Sequence, residues 1–383
     1  MIAPSFACRA VAPKGQTRRS RLPARIRAFV EADIPDVALV HRAAFRRFGG
    51  PGRASYHDYF VRVFLDNPAG RGPISSLVHE EHDGRITGFI GLVPRRVAIG
   101  ARHYQAAVSS QFIVDPASHV GLVALRLAKA YLEGPQDLSI ADEANEVSRT
   151  IWEGLGGVTA SLLSLYWTRP LRPARMAMSY LRERRGFAPI AAAARPFASV
   201  ADTLAVRLPG SQFRQVAPAA AAEALCPRTV IAHAPELCGA AALRVEYDDH
   251  TFQWLLDRAA GQTPDGRLLS AVVKNGSTIL GWYIAHLDRD GGADVAQLMA
   301  SRSSIDEVLD HLFYHAWQQG AVSVTGRMEP RFMQALSDKY CLFHRRGPWV
   351  LIKAKKPELL HAFQTGAASF SRFDGEWSLR YQS

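Results

Sequence analysis

Phe112-Ile113-Val114-Asp115-Pro116-Ala117-Ser118-His119-Val120-Gly121-Leu122-Val123-Ala124 is the stretch that decides how this 383-residue chain folds. Phe112, Ile113 and Val114 predict a buried strand, Asp115-Pro116 stops it, and Leu122, Leu125, Leu127 and Tyr131 recur at roughly helical spacing. A strand that passes through a short loop onto a helix presents that helix's unpaired N–H groups and positive dipole end at one spot. Such a terminus suits a pyrophosphate. Further on, Asp142-Glu143-Ala144-Asn145 predicts two acids at a strand end. A second helix follows, running through Ser148 and Trp152 to Leu155 and ended by Gly156.

These motifs resemble the Gcn5-related N-acetyltransferase (GNAT) superfamily. There the acyl-CoA loop follows a strand ending in Val-x-Pro and reads Arg/Gln-x-x-Gly-x-Gly/Ala. Counted from Pro116, His119 falls on the Arg/Gln position, Leu122 on the first glycine and Ala124 on the second, with Gly121 one residue early. Asn145, Ser148, Trp152, Leu155 and Gly156 keep the spacing of the family's Asn-x-x-Ala-x-x-x-Tyr-x-x-Leu-Gly pattern. The resemblance implies that Phe112, Ile113, Val114, His119, Val120, Gly121, Leu122, Val123, Ala124, Asn145, Ser148 and Trp152 bind acetyl-CoA or another acyl-CoA. Backbone N–H groups near Phe112 and Ile113 would polarise the thioester carbonyl. Trp152 stands where many members carry a tyrosine that protonates the departing thiolate, and an indole N–H cannot do so. Asp142 and Glu143 are the expected proton acceptors. Their other reading, with Asn145, is as cap and dipole partners of the following helix.

Size predicts about two domains. No apolar run approaches the roughly 20 residues of a membrane span, so a soluble protein is expected. The four cysteines lie at no metal-ligand spacing, which points to free thiols in a reducing, cytoplasmic setting with no metal. His311 and His315 lie four apart on a predicted helix without a third ligand, and read as surface residues. The net charge is +11, but seven Arg and Lys precede the first acid, Glu31, and leave only +4 for the rest. No specific nucleic-acid partner is expected. The N-terminal tail would at most touch an anionic surface weakly.

The expected fold class is α/β (α+β): two tandem GNAT-like domains, each a mixed, mostly antiparallel twisted sheet flanked by helices. Residues 1–24 read as a basic, disordered tail and 25–168 as the CoA-binding domain. Residues 169–212 read as a linker with one helix, Ala174 to Arg185, and 213–383 as a second domain. In the first domain Asp83-Gly84 turns a hairpin, and strands are expected at 97–104 and 107–114. In the second, a strand is predicted at Phe213–Val216, a helix at Ala217–Leu225, a hairpin around Asn275-Gly276, a helix at Ile305–Gln318 and a closing strand at Trp349–Ile352. Met299 to Ser304 holds no glycine, so this half reads as having a degenerate CoA loop. The implied activity is acyl transfer from CoA to a primary amine of a small-molecule or saccharide-type acceptor. The alternatives are a catalytically degenerate binding protein and a Fem-type aminoacyl transferase.

Overall fold

A computed structural model describes residues 23–45, 53–69, 72–183, 188–239, 242–261 and 266–381. The basic tail, apart from residues 23 and 24, lies outside the described residues. In the first half, β1 (Arg25–Ala28), α1 (Ile34–Ala44) and α2 (Arg53–Phe60) precede β2 (Leu77–Glu80), β3 (Ile86–Ile99) and β4 (Arg102–Val114). Then come α3 (Val120–Leu132), β5 (Leu138–Ala144), α4 (Glu146–Gly154), β6 (Val158–Thr159), β7 (Tyr166–Pro170), α5 (Pro173–Glu183) and α6 (Ala188–Arg207). The second half runs β8 (Ala221–Glu223), α7 (Pro227–Cys238), β9 (Leu243–Glu246), α8 (Asp249–Ala260), β10 (Arg267–Asn275), β11 (Thr278–Leu287), β12 (Gly292–Ala300) and α9 (Ile305–Gln318). It ends with β13 (Ser323–Arg327), α10 (Met333–Asp338), β14 (Leu342–His344), β15 (Trp349–Ala354), α11 (Pro357–Gln364), β16 (Ala368–Ser369) and α12 (Glu376–Leu379).

Two mixed sheets result, in the orders β1-β2-β3-β4-β5-β15-β6 and β14-β7-β13-β12-β11-β10-β8. The first also takes in β9, which pairs with β3, and β16, which pairs with β9, so three of its strands, with β15, come from the second half, while the second sheet takes β7 from the first. Trp349–Ala354 pairs antiparallel with β5 in the first sheet, so this strand does not close the second unit as the sequence suggested. Tyr166–Pro170 pairs antiparallel with β13 in the second sheet. The fit is specific: a Cβ on Gly326 of β13 would lie 2.6 Å from the indole of Trp167 on the exchanged strand. Alternation of apolar residues says which face of a strand is buried but not which sheet receives it.

Three further expectations are corrected. The strands around Gly100 are two long ones, β3 and β4, that turn at this residue with φ 59°, so the expected strand at 97–104 spans the turn itself. The segment between the halves holds two helices rather than one, because its alanine-rich second part sustains α6. No strand forms at Phe213–Val216 and no helix at Ala217–Leu225. The helix there is α7, with Pro227 in its first turn, where a missing N–H costs no hydrogen bond.

The first sheet is covered on both faces. On one face, Ile90, Leu92, Ala107 and Ala141 pack with Val123, Leu127 and Tyr131 of α3 and Trp152 of α4. On the other, Phe89, Val93, Val108 and Ile140 pack with Val37 of α1, Phe60 of α2 and Phe363 of α11. The chain end joins several of these layers. Phe370 and Leu379 enter the second face, while Phe373 and Trp377 enter a separate core with α7 and α8.

Candidate active site

β4 and β5 run parallel and in register only from Ala106 opposite Leu138 to Val108 opposite Ile140, and both strands continue beyond. A tyrosine from α3 sits where they part. The Tyr131 hydroxyl accepts from the Ile140 N–H at 2.9 Å and donates to the Ala107 carbonyl at 2.7 Å, so it bridges two groups that could otherwise meet directly. Burial holds this phenol above its ordinary pKa, and both of its neighbours in the bridge are backbone groups. It is a wedge between strands.

Beyond the wedge, β4 carries a bulge. Phe89 faces Ile113 and Gly91 faces Ser110, so Gln111 and Phe112 together oppose one residue of β3. Gln111 adopts φ 53°, a left-handed conformation that is costly for a residue with a side chain and that neighbours must impose. His41 of α1 does so in part. Its Nε2 lies 2.9 Å from Gln111 Oε1, and its Nδ1 lies 3.0 Å from the Tyr56 hydroxyl. Tyr56 donating to Nδ1, and Nε2–H donating to Gln111, describes a neutral ring, and burial lowers the His41 pKa accordingly.

Into this opening the chain end inserts α12. The Glu376 N–H donates to Asp142 Oδ1 at 2.7 Å, and Glu376 Oε1 accepts from the Gln111 N–H at 3.2 Å and from Ser110 Oγ at 3.3 Å. Burial, followed by the nearby charges of Asp142 and Glu143, pushes the Glu376 carboxyl up to about 8. Gly375 makes the approach possible, since a Cβ there would stand 2.0 Å from Asp142 Oδ2. Gly375→Ala is therefore expected to displace α12 and to lower the thermal unfolding midpoint by several degrees. An unchanged melt with unchanged activity would show that the segment does not depend on this contact.

Asp142 and Glu143 lie in this cluster, but both are engaged by arginines. Asp142 is fully buried; Arg327 of β13 donates to its carbonyl at 2.7 Å and to Oδ2 at 2.9 Å. Burial raises the Asp142 pKa, and Arg327 opposes the rise. Glu143 pairs with Arg372 at 3.1 Å and with Arg380. Burial works against its ionisation, yet Arg372, Arg380 and Arg327 outweigh it and hold the carboxyl below its usual range. Arg372 also pairs with Asp294 of β12, so the cluster ties β5, β12, β13 and the chain end together. Neither acid is placed as a free base.

The remaining site residues separate into exposed and buried sets. His119 precedes α3 without a capping bond from its side chain, and Val120 and Leu122 are about half exposed on the first turn. Nothing lies within 4 Å of a Cβ built on Gly121. Val147, on the first turn of α4, is exposed as well. Val123 and Ala124 are buried, Ile113 belongs to the opposite core, and Phe112 and Val114 pack against the α3 side. Asn145 caps α4 by accepting from the Ser148 N–H at 2.9 Å. Trp152 is 1% exposed and edge-on to Tyr131, so its ring stands in the core. Sequence reading missed Glu376. The pattern Asp374-Gly375-Glu376 carries a glycine signal for close approach, but nothing in it names Asp142 as the group approached.

At the corresponding place in the second sheet, β12 and β13 likewise part after Val295 opposite Gly326, while β12 runs on to Ala300. Ser301, Ser303 and Ser304 bond to one another before α9, and Ser304 Oγ donates to the Leu280 carbonyl at 2.6 Å. Beyond the β12–β13 ladder, the Phe373 N–H takes up the Ala296 carbonyl at 2.9 Å. His311 and His315 both turn Nδ1 to the Tyr283 hydroxyl, at 3.0 and 2.6 Å. Among the described residues no group of three His, Cys, Asp or Glu could hold a metal ion.

A parallel strand pair splayed behind a β-bulge, with a helix starting at the loop after the bulged strand, defines the GCN5-related N-acetyltransferase fold, and this chain has it. Solved structures agree. A GCN5-related N-acetyltransferase from Anabaena variabilis ATCC 29413 superposes with a TM-score of 0.58 at 11% identity, over 88% of this chain and 75% of its own. A conserved protein of unknown function from Enterococcus faecalis V583, described as a probable N-acyltransferase, gives 0.56 at 11%, over 89% and 74%. A GCN5-related N-acetyltransferase from Kribbella flavida gives 0.53 at 15%, over 88% and 72%. At these identities the likeness is one of fold. No protein-family model and no curated protein matches the sequence.

Proposed function

We propose that the protein is an acyl-CoA-dependent N-acyltransferase that moves an acyl group directly from CoA to a primary amine of a small-molecule or saccharide-type acceptor. The observation that carries this is Glu376: a carboxylate with its pKa raised to about 8, held against the β4 bulge in the opening between β4 and β5. Acyl-CoA as donor fits the first turn of α3, where Gly121 leaves room for phosphate and Val120, Leu122 and Val147 offer apolar surface. A cytoplasmic setting follows, since acyl-CoA pools are intracellular.

In this reaction the amine nitrogen attacks the thioester carbonyl, the C–N bond forms, the C–S bond breaks, and CoA leaves as thiolate. The amine proton passes to Glu376. A carboxylate near pKa 8 is a far better acceptor for it than an ordinary one. The backbone N–H of Phe112, next to the Gln111 N–H that Glu376 holds, stabilises the carbonyl oxygen as it becomes anionic. Asp142 positions Glu376 by accepting its N–H, and His41 positions Gln111. Water protonates the thiolate, because Trp152 offers no acid.

The test is calorimetric titration with CoA and acetyl-CoA, using Gly121→Trp to block the loop. Micromolar binding to the parent, weakened at least about tenfold by the indole, is expected from loss of the phosphate contacts. Absence of binding by a folded parent would sink the donor assignment. Binding without turnover across a panel of amines would favour the degenerate, binding-protein reading. The engaged Gln111 N–H gives that reading some support.

A further inference from the structure

The net positive charge of the chain comes from two stretches. Residues 1–30 carry seven Arg and Lys and no acid, and residues 173–207 carry six arginines against Glu183 and Asp202. Together they account for the whole net charge of +11, and the remaining residues sum to zero. The second stretch is the α5–α6 hairpin, inserted between β7 and β8.

That hairpin also exposes apolar surface. Phe197, Val200 and Leu204 of α6, and Leu208 just past its end, are 76%, 59%, 57% and 64% exposed. At 3.6 residues per turn they fall within an arc of about 80°, a single stripe roughly 16 Å long. Ala198 and Asp202 on the other side are buried, and Asp202 is turned inward, accepting from the Ala174 N–H at 2.7 Å and the Arg175 N–H at 3.2 Å. Arg207 is exposed beside the stripe, while Arg182 pairs with Asp290 at 2.6 Å.

We propose that this face of the hairpin docks on an anionic lipid bilayer. An apolar stripe flanked by Arg207, on a hairpin whose sequence carries a net charge of +4, has the composition of a helix lying in a membrane interface, where apolar burial and charge act together. Nucleic acid would satisfy the charge but gives four apolar side chains nothing to enter. A second copy would bring the same net positive charge against itself, and a stripe this short falls below the roughly 800 Å² per partner of a stable dimer. The surface is for lying on a membrane: no helix among the described residues is long and apolar enough to cross one.

The experiment is co-sedimentation of the full chain with extruded vesicles of phosphatidylcholine, alone or with about 30% phosphatidylglycerol. Partition onto the anionic vesicles is expected to be at least about tenfold stronger, and to fall at high salt. Phe197→Ser combined with Leu204→Ser should weaken it by about tenfold without changing the melting temperature, since both side chains are exposed. No sedimentation with either vesicle would overturn the proposal. So would a stripe variant that binds like the parent, which would leave only charge at work. A dimer in light scattering, dissolved by the same substitutions, would give the face to a second copy instead.

Discussion

Replacing Glu376 by glutamine should lower kcat for acyl transfer by about 100- to 1,000-fold while leaving KM for acyl-CoA nearly unchanged, the usual scale for removing a general base. The substitution keeps the size of the side chain and leaves the backbone bond to Asp142 intact. The parent's kcat should rise with pH through about 8, as the carboxyl ionises, and the variant's should lose that inflection. Stability supplies a second readout. The folded carboxyl titrates near 8 and the ordinary one near 4.5, so between these values the folded state keeps a proton that the unfolded state has lost. Stability therefore falls as pH rises across that window. Glu376→Gln escapes this loss, with no gain below pH 4.5 and the full gain above about 8. Equal kcat in parent and variant would remove Glu376 from the chemistry; denaturation at pH 5 and 9 would still report whether its carboxyl is perturbed.

Arg327→Met should cost about 3–5 kcal/mol in folding stability, the scale for stranding one partner of a buried ion pair. Arg327 holds Asp142 from across the boundary between the sheets, and the side chains are 5% and 0% exposed. Its removal leaves a fully buried carboxylate held by the Glu376 N–H. The loss should shrink at low pH, where Asp142 can take a proton. Pairing the substitution with Asp142→Asn should restore much of it, because the uncompensated charge disappears. Chemical denaturation of the four proteins of the cycle measures the coupling. Additive losses would mean that the two groups do not support each other.

The strand, loop and helix from Phe112 to Tyr131 were legible because local periodicity and a stop signal at Asp115-Pro116 sit within a few residues of each other. The α9 helix was placed at Ile305–Gln318, and the hairpin turn at Gly276 was also found, for the same reason. Glu376 was not legible. It meets Gln111 and Asp142 across more than 230 residues of sequence, and its raised pKa comes from burial and from neighbours that only the folded chain assembles. The same holds for the arginines. Arg327 and Arg372 look like ordinary surface charges in the sequence, yet each is nine-tenths buried against the acids at the end of β5. Conversely, Asp142 and Glu143 were found as a pair at a strand end, but their partners make them anchors rather than free acceptors.

The exchange of β7 and β15 bears on how the protein is made. On the ribosome, residues are released in order, and β15 must fit between β5 and β6 before the first sheet is continuous. The first half therefore waits, with the edges of β5 and β6 unpaired, until residue 354 has left the exit tunnel. Contacts this distant in sequence are slow to form, so the emerging chain passes through a long interval in which it is open to chaperones and to aggregation. For the same reason, a truncation anywhere before β15 removes more than the second half: it leaves the opening that holds the candidate site without its neighbouring strand.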